Sequence, residues 1–378
     1  MVKKQKNNST QIKKHRYHKP DWVLFGIILT LVVLGCIMLS SASVVIASDR
    51  FSDSYYYVKQ QLIRGIIPGV MGAFICSFID YRILRKFAKF FLFGAVLLLI
   101  VVLIPGVGTA TKGAQRWIGL GFFSFQPSEI VKLFFVIYLA AWMTKHQQAI
   151  REKWKTFLPF LFLIIPIGLF MVLQPDIGTF GLMAMVALAM YSIASAPWRQ
   201  IVAFMGLGGA FVAIVAIVKP YRLARLLVFM NPDIDPQGIG YQLNQSLIAV
   251  GSGGLWGMGL GRSRQKYQFL PEVMGDSIFA IMAEELGFFL TLGVLSLFAV
   301  FVYRGMLVAS RAPDDFGKFL AAGITLWVGF QASINICAML GIFPLTGVPL
   351  PFISYGSTAM VSTLVAMGIL INISRQTR

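Results

Sequence analysis

Apolar residues in this chain gather into runs of about 18 to 25, each enough to cross a hydrocarbon core of roughly 30 Å as a helix. Polar residues are mostly confined to the segments between runs. Ten runs recur, with cores at 23–47, 62–79, 87–104, 128–144, 157–173, 177–194, 201–218, 277–303, 319–340 and 357–373. The pattern predicts an all-α polytopic membrane protein of about ten helices. Residues 1–21 form a polar tail, and 22–378 a single transmembrane domain. The first run ends in Ser40-Ser41-Ala42-Ser43, which looks like a leader-peptidase site, but its length and the nine runs after it predict an uncleaved helix.

Composition agrees. Of 378 residues, 57% are hydrophobic and 13% charged, too little charge for the surface of a water-soluble domain. The net charge of +18 would suggest nucleic acid in a soluble protein, and its distribution argues otherwise. With an even number of spans and the tail inside, the inner segments hold 21 of the 33 Lys and Arg, while the short outer loops hold only Arg50, Lys59, Arg64, Lys112 and Arg116. The positive-inside rule then predicts that both termini are cytoplasmic. The tail lysines are expected to lie on anionic lipid headgroups. Cys36, Cys76 and Cys337 fall inside apolar runs without CxxC spacing, so neither disulfides nor a thiolate zinc site is expected. His15, His18 and His146 are all predicted on the inner side, so an outer site has to work with carboxylates, Lys, Arg, amides and backbone donors.

Two outer segments exceed what a connection needs, 105–127 and 219–276. Long loops rich in charge, glycine and aromatic residues usually carry function. The second, between the seventh and eighth spans, contains an amphipathic piece at 241–250, expected as a short helix at the membrane interface.

Ionisable residues at membrane depth are costly unless paired. Glu129 and Lys132, three apart in the fourth span, share a helix face and fit either an ion pair holding the bundle or direct substrate contact. Asp176 stands at an outer turn, where helix capping explains an aspartate as well as chemistry does. Glu284 and Glu285 lie about 12 Å inward from Asp276 along the eighth span. Being adjacent, they point in different directions, so at most one is expected to share a cavity with Asp276. Lys112, Arg116, Arg222, Arg225, Arg262, Arg264 and Lys266 accompany the glycine-rich stretch 251–261 on the outer side. Such a set suits phosphate oxygens, and the alternative is glycines as helix breakers with cations at headgroup level. No GK[ST] follows, so the stretch is not a nucleotide P-loop. Glu272 and Asp276 close the large loop at the mouth of the eighth span, where Asp276 could equally cap the helix.

Together the stretches KGAQRWIGLG (112–121), QPSEIVK (126–132), QPDIG (174–178), NP with GYQLNQSLIAVGSGGLWGMGLGRSRQKYQFLPE (231–272), AEELG (283–287) and LTGVPLPFISYGS (345–357) resemble the SEDS proteins FtsW, RodA and SpoVE, polymerases of polyprenyl-linked sugars in bacterial cell-wall synthesis. The wording GLGRSRQK and KGAQRWI is similar to FtsW in particular. The sequence departs from the family's usual Thr-Asp-Phe and Ser-Tyr-Gly-Gly-Ser at Gly275-Asp276-Ser277 and Ser354-Tyr355-Gly356-Ser357.

The resemblance implies a peptidoglycan glycosyltransferase of the bacterial cytoplasmic membrane, extending a lipid-linked glycan with lipid II on the outer face and inverting the anomeric centre. Asp276 matches the family's essential aspartate. Glu129, Lys132 and Asp176 match polar residues in and near its central cavity, and Lys112, Arg116, Arg222, Arg225, Gln245, Lys266, Glu272, Glu285 and Ser354 are taken as substrate-binding candidates. No cofactor is required. A divalent cation, magnesium or manganese, at Asp276 suits pyrophosphate chemistry, although no ligand cluster demands one. Expected partners are lipid II, the nascent glycan, a class B penicillin-binding protein, division proteins and membrane lipids, not nucleic acid. The competing reading is a lipid II flippase using Glu129, Lys132 and Asp176 as a polar path, but no inverted repeat is visible. A scaffold that only recruits partners leaves the buried charges unexplained.

Overall fold

The computed structural model describes every residue except 1–18, 112–113, 121–122, 153, 219–223, 225–227, 232–234, 236, 239, 268 and 378. Most of the basic tail, together with Lys112, Arg222 and Arg225, lies outside the described residues. Helices stand at all ten expected places. They are α1 (Trp22–Phe51), α2 (Tyr56–Phe78), the short α3 (Arg82–Lys86), α4 (Ala88–Val101), α5 (Pro127–Glu152), α6 (Phe157–Leu173), α7 (Ile177–Ile193), α8 (Trp198–Val218), α9 (Tyr241–Ser252) in the large loop, α10 (Ile278–Ser310), α11 (Asp315–Met339) and α12 (Ser357–Ser374). Seven of these helices are long and apolar enough to cross a membrane, and α4, α7 and α8 are shorter apolar helices.

Side chains at the boundaries start the helices where the pattern says. Asp21 Oδ1 accepts from the backbone N–H groups of Val23 and Leu24, both at 3.0 Å, and so caps α1. Asp314 does the same for α11 through Gly317 N–H at 2.8 Å. α11 occupies the centre, packed on α5, α7 and α10, with Leu320, Ala321, Ile324, Trp327 and Val328 all buried. α2 is the opposite case: Ile63, Ile67, Met71, Phe74 and Phe78 are each more than half exposed. A continuous apolar face of this kind is stable only in lipid. On its other side α2 packs tightly against α12, where a Cβ on Gly368 would fall 2.3 Å from the Ala73 carbonyl oxygen.

The structure adds one element to the all-α expectation. Within the segment 105–127, between α4 and α5, strands β1 (Gly108–Thr111), β2 (Ala114–Leu120) and β3 (Phe123–Phe125) form an antiparallel sheet in the order β1-β2-β3, pairing Gly108 with Ile118 and Ile118 with Phe125. A register irregularity falls between Thr109 and Ala110. Period-two alternation over so few residues leaves little trace beside ten helices.

Candidate active site

Asp276 ends the run of turns that leads into α10. Ser277, one residue further on, holds the N-cap position of that helix. Two segments, α11 and the stretch before α12, fix the backbone around Asp276. Asn335 on α11 donates from Nδ2 to the Asp276 carbonyl at 2.7 Å and to the Val348 carbonyl at 2.9 Å. Ser354 Oγ donates to the Gly275 carbonyl at 2.7 Å, and the Tyr355 N–H to the Met274 carbonyl at 2.8 Å. Three consecutive carbonyls, 274 to 276, are thus each held from outside their own loop. The half-buried carboxylate lies near α9, with Gln242 Nε2 3.4 Å from Oδ2 and 3.0 Å from Ser277 Oγ. It also borders Gly347, where a Cβ would stand 3.8 Å from Oδ2.

The ion pair in the fourth span supports the same region from below. Lys132 Nζ lies 2.8 Å from Glu129 Oε2 and donates to Gln331 Oε1 at 2.8 Å. Both charged residues are buried, and no hydrogen bond of good angle reaches Glu129 Oε2. Trp327 Nε1 donates to the same Gln331 oxygen, while Gln331 Nε2 donates to the Pro349 carbonyl, both at 2.8 Å. Gln331 and Asn335 are one helical turn apart on α11. Between them they hold the carbonyls of Val348 and Pro349, so the buried charge pair and the Asp276 loop share one support, the segment between α11 and α12.

Asp176 borders that segment from the other side. It holds the N-cap position of α7, but its side chain accepts from Thr179 Oγ1 at 2.9 Å rather than from a helix N–H. Gly178 next to it packs so tightly that a Cβ would fall 2.5 Å from the Thr346 carbonyl oxygen. Arg116 on β2 donates from Nε to the Gln174 carbonyl at 3.1 Å and from a terminal nitrogen to the Pro175 carbonyl, tying the sheet to the turn that presents Asp176. Asp176 Oδ2, Thr346 Oγ1 and Asn335 Oδ1 are all buried without a hydrogen-bond partner among the described residues. Each such atom costs about 1–3 kcal/mol. Orphaned polar atoms gathered around one segment, 346–348, and the carboxylate beside it suit a polar ligand.

The glycine-rich stretch packs against α10. α10 is broken at Gly287, whose φ is 74°, and residues 254–259 lie along the break. Met258 and Gly259 donate their N–H groups to the carbonyls of Glu284 and Glu285 at 3.0 Å, and the Phe288 N–H donates to the Gly254 carbonyl at 2.9 Å. The loop so completes the hydrogen bonding of a helix interrupted inside the protein. Contact is too close for side chains: a Cβ on Gly253 would sit 2.1 Å from the Ala283 oxygen, and one on Gly257 2.2 Å from the Glu285 oxygen.

The two glutamates serve the same joint. Glu284 accepts from the Arg264 N–H at 2.9 Å and from Ser263 Oγ at 2.5 Å. Glu285 accepts from the Ser263 N–H at 3.2 Å, from Ser41 Oγ on α1 at 2.6 Å and from Lys266 Nζ at 3.2 Å. Lys266 also donates to the Gly261 carbonyl at 2.7 Å and is 1% exposed, so its charge is already answered inside the protein. Both glutamates engage the loop 253–266, Glu285 through the basic Lys266 and Glu284 through the Arg264 backbone, within the expectation that at most one of them shares a cavity with Asp276.

Of the residues singled out in the sequence, Asp276, Ser354, Glu129, Lys132 and Asp176 come together around the segment between α11 and α12. Arg116 stands at its rim, and Glu285 and Lys266 belong to the α10 joint. Glu272 is exposed at the head of the last turn, with φ 53°. Gln245 is half-buried on α9, one turn beyond Gln242, which is the glutamine that reaches Asp276. Gln242, Gln331 and Asn335 were not singled out in the sequence. They carry no charge, and the signal that marks them is only that an amide within an apolar run needs a partner. Among the described residues no three of His, Cys, Asp and Glu gather in a way that could hold a metal ion.

Comparison with known proteins follows the geometry. Residues 21–378 match the cell cycle protein family of FtsW, RodA and SpoVE. Stage V sporulation protein E of Bacillus subtilis is 43% identical over 95% of this chain and 98% of its own length. A probable peptidoglycan glycosyltransferase FtsW of Trichlorobacter lovleyi is 40% identical over 96% of this chain and 95% of its own. Among solved structures, a chain from a peptidoglycan synthase complex that coordinates polymerization and crosslinking superposes with a TM-score of 0.78 at 27% identity, covering 94% of this chain and 98% of that one. The rod shape determining protein RodA of Thermus thermophilus superposes at 0.70 with 25% identity, over 95% of this chain and 97% of its own.

Proposed function

Since the chain belongs to the cell cycle protein family of FtsW, RodA and SpoVE, we propose that it is a peptidoglycan glycosyltransferase, which polymerises glycan strands from lipid II with Asp276 as its catalytic carboxylate. The observation that carries this reading is the fixing of carbonyls 274 to 276 by Asn335, Ser354 and Tyr355, which presents one half-buried carboxylate beside a segment rich in unpartnered polar atoms.

In the reaction, the acceptor hydroxyl of lipid II attacks the anomeric carbon of the nascent lipid-linked glycan. The new C–O bond forms as the bond to the polyprenyl pyrophosphate breaks, and the proton passes to Asp276 as general base. Attack opposite the leaving group inverts the anomeric centre. The leaving pyrophosphate needs cations. Arg116 keeps guanidinium N–H groups beyond those used on Gln174 and Pro175, and Lys112, Arg222 and Arg225 are its proposed companions. Lys266 is reassigned to the joint with Glu285, and Ser354 to holding Gly275. Glu129 and Lys132 position the floor through Gln331. Asp276 is the residue that would hold a magnesium or manganese ion, which would supply positive charge for the leaving pyrophosphate.

The chain is an integral membrane protein. We place it in the bacterial cytoplasmic membrane with both termini inside and Asp276 outside. Its partners are a class B penicillin-binding protein that cross-links the product, and division proteins. Polymer synthesis from purified lipid II, by wild type and Asp276→Asn, alone and with that partner, tests the reading. Long glycan from wild type only is expected. Polymer from the variant, or lipid II crossing proteoliposomes with no polymer under any condition, overturns it, the latter in favour of a flippase.

A further inference from the structure

At the end of the bundle opposite Asp276, beyond the length of α10, an open cavity of about 490 Å³ is lined by Arg82, Arg85, Lys86, Asp314 and Phe316. Two lining residues are committed to the fold. Arg82 donates from Nε to Asp314 Oδ2 at 3.0 Å and from Nη1 to Gln376 Oε1 at 2.7 Å and Asp80 Oδ2 at 3.3 Å. Asp314 also accepts from the Tyr81 hydroxyl at 2.6 Å and caps α11. Arg85 and Lys86 are exposed and make no hydrogen bond or ion pair among the described residues. The lining therefore presents two cations beyond the satisfied Arg82–Asp314 pair.

The surroundings identify the anion. Ile83, Phe87 and Phe90, on the same corner of the bundle, are 42%, 51% and 71% exposed. A soluble phosphate would gain nothing from an apolar corner beside the cations, whereas a lipid lays its acyl chains there with its phosphate on the cations. We propose that this cavity binds the headgroup of an anionic phospholipid through Arg85 and Lys86, with its chains against Ile83, Phe87 and Phe90. The site faces the inner leaflet if Asp276 faces outward as proposed above; only the choice of leaflet rests on that reading.

The test is native mass spectrometry of the purified full-length protein titrated with phosphatidylglycerol or phosphatidylcholine. Wild type should retain phosphatidylglycerol selectively, and Arg85→Gln with Lys86→Gln should weaken it roughly thirty-fold. Arg85→Lys with Lys86→Arg, which keeps both charges, should retain it. A thermal unfolding scan of the glutamine variant that matches wild type shows that any loss is local. Equal retention of both lipids by wild type, an unchanged affinity in the glutamine variant, or displacement of the lipid by millimolar inorganic phosphate would overturn the proposal. None of these readouts depends on polymer synthesis, so failure here and failure of the polymerase reading are separate events.

Discussion

At the scale of single residues, the site turns on how a carboxylate is aimed. Asp276→Asn keeps size and hydrogen bonds but cannot take a proton, so polymerisation from lipid II should fall by at least about 10²-fold, with lipid II binding largely kept. Asn335 acts one step away. Its amide serves two carbonyls, those of Asp276 and Val348, and Asn335→Asp preserves its shape while removing both donations. Leaving buried acceptors unsatisfied costs about 1–3 kcal/mol each, so the melting temperature should drop. A positioning role further predicts that kcat falls while KM for lipid II changes little. An unchanged kcat in a folded Asn335→Asp protein would reduce Asn335 to a structural tie.

At the scale of elements, most of what the apolar pattern predicted is present, because a helix long enough to span lipid must announce itself in consecutive residues. The ten helices and the amphipathic α9 were legible for that reason. The sheet at 108–125 was not, since its strands are short and alternate over few positions. The glycines between 251 and 261 were legible as important but not as packing: their signal in one dimension is the same for a phosphate cradle and for a loop pressed on a broken helix. Only the partner element, with Gly287 opposite Gly257, tells them apart. Gly257→Ala should therefore disrupt the joint. It places a Cβ 2.2 Å from the Glu285 oxygen at a residue with φ of 79°, a left-handed conformation that costs roughly 1–2 kcal/mol for other residues before any clash. Hydrogen exchange should report this as at least about tenfold faster exchange at Met258 and Gly259, whose N–H groups bond across the break. Unchanged protection there would mean that the joint contributes little.

The Tyr81 turn between α2 and α3 gives a pH signature at the other end of the bundle. Burial first, then the hydrogen bond and charge of Asp314, push the Tyr81 phenol well above its ordinary pKa. The folded protein favours the protonated phenol, so this contribution to stability is whole below the unfolded pKa near 10 and is lost as pH rises beyond it toward the folded value. Melting temperature should accordingly fall on the alkaline side more steeply in wild type than in Tyr81→Phe, with no difference in slope between pH 6 and 8. Equal alkaline slopes would mean that Tyr81 is not the group titrating.

At the scale of the whole molecule, function depends on orientation. A donor carried on a polyprenyl pyrophosphate is outside the cytoplasmic membrane when cell wall is built, so Asp276 is useful only if its end of the bundle faces outward. The positive-inside rule predicts that orientation. The basic residues crowd the ends opposite Asp276, including Arg82, Arg85, Lys86, Arg304, Arg311 and Arg375; Asp276 stands just before α10, while Arg304 lies toward its far end and Arg311 at its C-cap. Single cysteines read this directly in a background lacking Cys36, Cys76 and Cys337. In intact cells a membrane-impermeant maleimide should label Asp53→Cys, in the exposed link between α1 and α2, and Gly254→Cys, beside the broken α10. It should leave Ser9→Cys in the tail and Thr377→Cys at the other terminus unlabelled until the membrane is opened. Labelling of the tail from outside, with Asp53→Cys and Gly254→Cys protected until the membrane is opened, would invert the orientation, and Asp276 would then need a substrate from the cytoplasm, which a lipid II polymerase of the outer face does not use.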